Sequence, residues 1–201
     1  DDSSWADPDY DDSEWESINP QLNKEDFKKL DWTGNIWFRN EIQVDSSLWN
    51  IVFGFNFFCT GAAEVYLNGK SLYKYGTVGT SPETEIAFVD MNPRHILFDR
   101  KEKQVLAVRY SNHSAEKLAK NNIQVGFTTI LGDIEVFVYN RINTVRELSI
   151  SQMAFGAFIL AFAIMHLLLF IFYPIAKENL FYSISMFSFS VVIYTSIQNN
   201  F

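Results

Sequence analysis

Two hydropathy patterns divide the chain. Up to about residue 140, apolar residues come in short runs broken by turn formers; from Ile150 they run on almost without interruption. The short runs read as strands. Asn35–Val44 (NIWFRNEIQV) is rich in aromatic and β-branched residues, and Leu48–Phe58 (LWNIVFGFNFF) is a longer apolar stretch. Asn68-Gly69 lies between Glu64–Leu67 and Lys70–Tyr75, and this dipeptide suits a type I′ hairpin turn, whose two central residues need positive φ. Gln104–Tyr110 (QVLAVRY) reads as a late strand. Several short strands separated by turns predict a sandwich or a barrel. Periodicity over Asp133–Leu148 fits either a last strand or a helix.

The long apolar stretch Ile150–Tyr173 carries no formal charge over its 24 residues. At 1.5 Å per residue it reaches roughly 36 Å as a helix, enough to cross a hydrocarbon core of about 30 Å. It is apolar all round, unlike the one-sided stripe of a surface helix. Pro174 is expected to end it. A second stretch, Leu180–Ile197, is just long enough to span but holds Ser183, Ser185, Ser188, Ser190, Thr195 and Ser196. Hydroxyls of this kind bond back to the helix backbone, and small residues let helices approach closely. Protein neighbours are therefore expected, from helices following Phe201 or from a partner chain. His166 lies inside the first span, where a neutral imidazole bonded to a hydroxyl of the second helix is the expectation.

Charge sharpens the division. Lys177 and Glu178 are the only charges from Ile150 onward, so the preceding part carries the whole net charge of −8. That acidity repels polyphosphate and argues against nucleic-acid binding. Eight carboxylates precede the first basic residue, Lys24. An EF-hand reading of Asp7, Asp9 and Asp11 fails, because Asp12 stands where Gly is required and Ile18 where a bidentate Glu is required. Cys59 is the sole cysteine and sits in an apolar run, as a small buried side chain would. A chain beginning at Asp1 without a signal peptide either was never exported or has lost its signal by cleavage. Scattered histidines at 95, 113 and 166 give no metal-ligand spacing, and no nucleophile or phosphate-loop motif is present. No metal, cofactor or catalytic residue is expected, and the chain reads as non-enzymatic.

Binding is the better expectation. Sugar rings stack on aromatic faces while polar groups bond their hydroxyls. The chain offers Trp5, Trp15, Trp32, Trp37, Trp49, Tyr73 and Tyr75, although most aromatics of a sandwich are core. Tyr73 and Tyr75, two residues apart on one strand face, would form a platform if that face is open. Arg39, between Phe38 and Asn40, more often caps a carboxylate than a ligand. Trp37, Arg39, Tyr73 and Tyr75 are the candidate ligand-binding residues.

The ordered set Asp11-Asp12-Ser13-Glu14-Trp15 with Asn19-Pro20, Trp37-Phe38-Arg39, Val65-Tyr66-Leu67-Asn68-Gly69-Lys70 and Val105-Leu106-Ala107-Val108-Arg109 resembles the sugar-binding-like domain of glycoside hydrolase family 2 and other galactose-binding-like domains. The usual Gly-x-Asn before the last strand is replaced by Asp99–Lys103, so that turn must be built differently. Joined to the membrane stretches, including Phe155-Gly156-Ala157-Phe158 and Lys177-Glu178-Asn179-Leu180, the pattern is similar to bacterial seven-transmembrane receptors with diverse intracellular signalling modules. The resemblance implies a mainly β, jelly-roll β-sandwich followed by two transmembrane helices, as an exported sensor domain at 1–140, a juxtamembrane link at 141–149 and the first two helices of a membrane domain at 150–201. It implies a multi-pass protein of the inner membrane with residues 1–149 periplasmic or extracellular, a carbohydrate or small-molecule ligand, a homodimer, and an output domain beyond Phe201. Positive-inside counting of Arg141 and Arg146 against Lys177 points mildly the other way. A membrane-tethered carbohydrate-binding or adhesion module without signalling is the alternative expectation.

Overall fold

The computed structural model describes residues 3–198. The chain divides into two compact units, the first ending at Val138 and the second beginning at Tyr139.

The first unit holds eight strands in two antiparallel sheets. One has the order β1-β8-β3-β6, from β1 (Gln21–Leu22), β8 (Val125–Gly132), β3 (Val52–Thr60) and β6 (Arg94–Leu97). The other has the order β2-β7-β4-β5, from β2 (Asn35–Gln43), β7 (Lys103–Ser111), β4 (Ala62–Leu67) and β5 (Lys70–Tyr75). Two short helices, α1 (Asp26–Lys29) and α2 (Ala115–Lys120), lie outside the sheets. A single cluster joins side chains of both sheets, including Phe55 and Phe57 of β3, Val65 of β4, Tyr75 of β5, Val108 and Tyr110 of β7, and Phe127 of β8. Alternation along each strand puts these residues on one face, and burying the aromatic area drives the sheets together. The expected β4–β5 hairpin is present, and both turn residues have positive φ, 50° at Asn68 and 80° at Gly69. The strand expected from Leu48 begins later, at Val52. Asp45 instead accepts from the Ser47 amide at 2.8 Å and caps a 3₁₀ turn over Ser46–Leu48.

The unusual turn at Asp99–Lys103 is closed by a buried amide. Gln104, 0% exposed, donates to the carbonyls of Asp99 (2.8 Å) and Lys101 (2.5 Å) and accepts from Asn68 Nδ2 at 2.6 Å. Asn68 also receives the Val105 amide on its Oδ1. Side-chain amides thus replace the hydrogen bonds a glycine turn would make.

After β8, Asp133 accepts from the Glu135 amide at 2.8 Å and starts α3 (Ile134–Phe172). Residues 134–148, left open between strand and helix by periodicity, are helical, and the stretch 141–149 lies within α3. Phe137, in its first turn, rests on a bare patch of the first sheet. Gly54 of β3 and Gly132 of β8 are register partners, and a Cβ on either would come within 2.6 Å and 2.8 Å of the Phe137 ring. Only glycine leaves room for the ring there.

The second unit is a helical hairpin of α3 with α4 (Glu178–Gln198). Both helices are long and apolar enough to cross a membrane. The buried positions of α3 are Ser149, Gly156 and Ala163, seven residues apart. On α4, Ser183 and Ile197 are buried and Ser190, midway between them, is half-buried. A seven-residue repeat on both helices is the signature of a left-handed crossing, and small residues at it allow close approach. Ser190 Oγ donates to the Gly156 carbonyl at 3.2 Å, and a Cβ on Gly156 would meet Ile193 at 3.3 Å. Ser188, Thr195 and Ser196 bond back to carbonyls of their own helix, as expected of hydroxyls in such a span. His166 pairs through Nδ1 with Asn179 Oδ1 at 3.0 Å, beside the Tyr182 ring. The expected hydroxyl partner is replaced by an amide because Asn179 stands on the first turn of α4, ahead of the serines.

Candidate ligand cleft at the β2 edge

β2 is the outer strand of its sheet, paired only with β7. The Gly34 carbonyl accepts from the Asn112 amide, and the Val44 amide donates to the Glu102 carbonyl. With the register Asn35↔Ser111 between these points, even-numbered β2 residues bond to β7 and odd-numbered ones turn their backbone to the free edge. The N–H and C=O groups of Trp37, Arg39 and Glu41 therefore face away from the sheet.

Along this edge runs a cleft of about 470 Å³. Trp37, Phe38, Arg39 and Asn40 of β2, Leu106 and Val108 of β7, and Phe127 and Thr129 of β8 line it. Asp12, Trp15, Glu16, Ser17, Ile18 and Pro20 of the N-terminal segment complete the lining. The mixture of aromatic faces with amide, hydroxyl and carboxylate groups is the composition of a site for a polar small molecule.

Arg39 lines the cleft as a tied group rather than as a free cation. Its side chain is 4% exposed and its Nε donates to Asp12 Oδ2 at 2.8 Å. One terminal nitrogen donates to the Trp5 and Asp7 carbonyls at 2.5 and 2.8 Å, and the other to the Tyr10 carbonyl at 3.3 Å. The guanidinium also lies over the Tyr10 ring. Four hydrogen bonds from one planar fork tie the acidic N-terminal segment to the sheet. Trp5 packs edge-on against both Trp15 and Trp37, and Trp37 lies over Tyr66, so the segment has a small aromatic core of its own. Trp37 is 8% exposed, and its indole N–H is buried with no acceptor. A buried donor without a partner is costly, and this one lies in the outer aromatic cluster with Trp5 and Tyr66.

The structure brings Trp37 and Arg39 to the cleft and places the two tyrosines elsewhere. Tyr73 and Tyr75 do share a strand face, but that face is the interior. Tyr75 is 1% exposed, stacked on Phe57 at 4.6 Å, and burial raises its phenol pKa. Tyr73 stacks on Phe55, donates to the His95 carbonyl at 2.6 Å and has the Arg94 guanidinium over its ring. Neither ring offers an open platform. Residues that the candidate set omitted are Asp12, Trp15, Glu16, Asn40 and Thr129. Trp15 belonged to the wider aromatic list; the others carry no motif, and only the fold assembles them. Among the described residues no group of three or more His, Cys, Asp and Glu side chains could hold a metal ion.

No protein-family model matches this chain, and no curated protein matches it. Among solved structures, a β-glucuronidase from Bacteroides uniformis is similar at 19% identity and a TM-score of 0.41, over 56% of this chain and 13% of that one. A calcium-binding mutant of Bacteroides uniformis β-glucuronidase 2 is similar at 18% identity and a TM-score of 0.40, over 64% and 16%. A Ruminococcus gnavus β-glucuronidase in complex with C6-substituted uronic isofagomine is similar at 17% identity and a TM-score of 0.34, over 48% and 16%. This chain thus spans less than a fifth of each of these enzymes, and a likeness so distant says nothing about what it binds.

Proposed function

We propose that the chain is the ligand-sensing input region of a bacterial membrane receptor, anchored by α3 and α4, with the β2-edge cleft as the site for a carbohydrate or related small molecule. The observation that carries the reading is the cleft itself, where aromatic side chains stand beside hydroxyl, amide and carboxylate groups at the free edge of β2. Anchoring is supported by the inverted burial of the hairpin, whose large apolar side chains face outward, as they would against lipid. In this reading the head is a galactose-binding-like jelly roll on the periplasmic side of the inner membrane, it acts as a non-catalytic domain, and an output domain follows the membrane helices.

The test uses the full chain expressed in a bacterial membrane. Resistance to alkaline extraction, together with digestion of the head by protease added from the periplasmic side, is the expected result. Saturable quenching of tryptophan fluorescence by oligosaccharides, lost in Trp37→Ala, completes it. A chain released by alkali, or a head shielded from external protease, would sink the receptor reading. Sugar binding that leaves cross-linking between cysteines introduced into α3 and α4 unchanged would instead favour a tethered carbohydrate-binding module without signalling.

A further inference from the structure

A strand at the edge of a sheet presents a row of main-chain N–H and C=O groups to any passing strand, and folds blunt such rows by shortness, proline, lysine or a bulge. Three of the four sheet edges here carry such a device. β1 has two residues, and β6 has four and follows Pro93. β5 presents Lys70 and Lys74, and its pairing with β4 slips at Val65/Tyr66. β2 has none of them. It runs for nine residues, Asn35–Gln43, without proline, lysine or glycine, and holds one unbroken register with β7. The main-chain groups of Trp37, Arg39 and Glu41 point to its free side, and among the described residues no turn, loop or cap bond reaches them. The cleft lies along that same side, and Leu106, Val108 and Phe127 in its lining belong to the core that joins the two sheets. Phe38 of β2 packs edge-on against Phe127 of β8 at 5.0 Å, so β2 faces β8 across that core. A strand added beyond β2 would therefore send its inward side chains into the cleft.

We infer that the free edge of β2 takes up an extended polypeptide segment of another protein as a further strand, with aliphatic side chains at its inward positions. The occupant's chemistry follows from the edge. Donors and acceptors that recur at every second residue match the repeat of another main chain, and the guest's alternate side chains supply the specificity. Trp37, Arg39 and Glu41 each offer one donor and one acceptor, enough to pair with about five residues of a guest. A second copy of this chain fits less well. The inward side chains of its β2, Ile36 and Phe38, already pack in its own core, so it would bond the edge and leave the cleft unfilled. The inference goes beyond the small-molecule reading and does not depend on it; a strand and a sugar would compete for the cleft.

The probe is a fluorescein-labelled octapeptide of alternating valine and threonine with lysine at each end, titrated by anisotropy against the full chain in nanodiscs. Saturable binding is expected, together with slowed amide exchange over Asn35–Gln43. N-methylation of the peptide's central amides keeps every side chain and removes the donors, and it should weaken binding about tenfold or more. Glycine in place of the valines should cost a similar factor, because the cleft then receives no apolar group. On the protein, Glu41→Pro deletes one outward N–H and spares the β7 ladder, so the chain should keep its urea midpoint and lose peptide affinity. An N-methylated peptide bound as tightly as its parent, unchanged exchange over β2, or full affinity in a folded Glu41→Pro chain would overturn the inference. So would a peptide that fails to bind at millimolar concentration, or a dimer of the chain that protects the same amides without peptide. Cellotetraose binding where the peptide does not would overturn it and leave the small-molecule reading standing. Peptide binding where no sugar binds would remove that reading and support this one.

Discussion

In the β-sheet unit the side chains sealed away are Phe55, Phe57, Tyr75, Tyr110 and their neighbours; in the helical hairpin they are the small residues Ser149, Gly156, Ala163 and Ser183, joined by Ile197, while Phe155, Phe158, Phe172 and Phe181 stand outside. The same phenylalanine-rich composition is thus sorted in opposite directions. Water drives aromatic area inward in the first unit. In the hairpin the contacts are of another kind: close approach of backbones at small residues, and hydrogen bonds such as Ser190 to the Gly156 carbonyl. Polar groups follow the same logic. The first unit buries Gln104 only with its bonds made, and the hairpin keeps His166 and Asn179 paired on the seam.

The strongest way to break this comparison is to cut matching rings from each unit. Phe57, 2% exposed and stacked between Phe55, Tyr75 and Phe127, should cost about 3–5 kcal/mol when changed to Ala, read as a shift of the urea midpoint followed by tryptophan fluorescence. Phe172→Ala, at 73% exposure, should move stability by less than about 0.5 kcal/mol. Equal costs would mean that the hairpin is an ordinary core helix pair. Next in size is Gly156→Leu, which drives a side chain into Ile193. It should cost about 1–3 kcal/mol of hairpin stability, seen as earlier thermal loss of helical circular dichroism in detergent, with the β-sheet unit unaffected.

A smaller effect tests polar burial in the first unit. Burial pushes the Glu64 carboxyl up, but hydrogen bonds from Lys74, Tyr66 and Arg109 outweigh it and hold the group below its ordinary 4.5. A lowered folded value means that Glu64 contributes fully above pH 4.5, and that this contribution is lost as pH falls through the folded value. Glu64→Gln should therefore flatten the stability profile below pH 4.5 and leave its slope at neutral pH alone, as measured by urea midpoints across that range. The smallest expected signal is a rate near zero. Burial pushes the Cys59 thiol up to about 12, so a maleimide at pH 8 should label it only after the first unit unfolds. Prompt labelling of the folded chain would show that unit to be more open than its packing implies.

How much of this was legible depended on whether the cause was local. Asn68-Gly69 announced its turn because positive φ at both positions is a property of those two residues. The membrane-length stretches were legible from length and charge alone. The start of α3 was not, because it depends on the Asp133 cap and on Phe137 finding two glycines from separate strands. β8 escaped notice for a related reason: with glycines at Gly126 and Gly132 and two threonines between, VGFTTILG becomes a strand by pairing with β3. At the site, alternation correctly put Tyr73 and Tyr75 on one face, but only the opposing sheet says that the face is closed. Arg39 was legible as a carboxylate partner, whereas its three carbonyl acceptors carry no side-chain signal. The cleft joins residues from positions 12 to 129, a proximity that no spacing rule encodes.

The glycine pair beneath Phe137 has a mechanical consequence. Thr129, which lines the cleft, and Gly132, under the ring, lie three residues apart on β8. Any side chain put in place of Gly54 or Gly132 would have to displace the Phe137 ring, so these two bare positions fix where the first turn of α3 can sit on the strands that precede it.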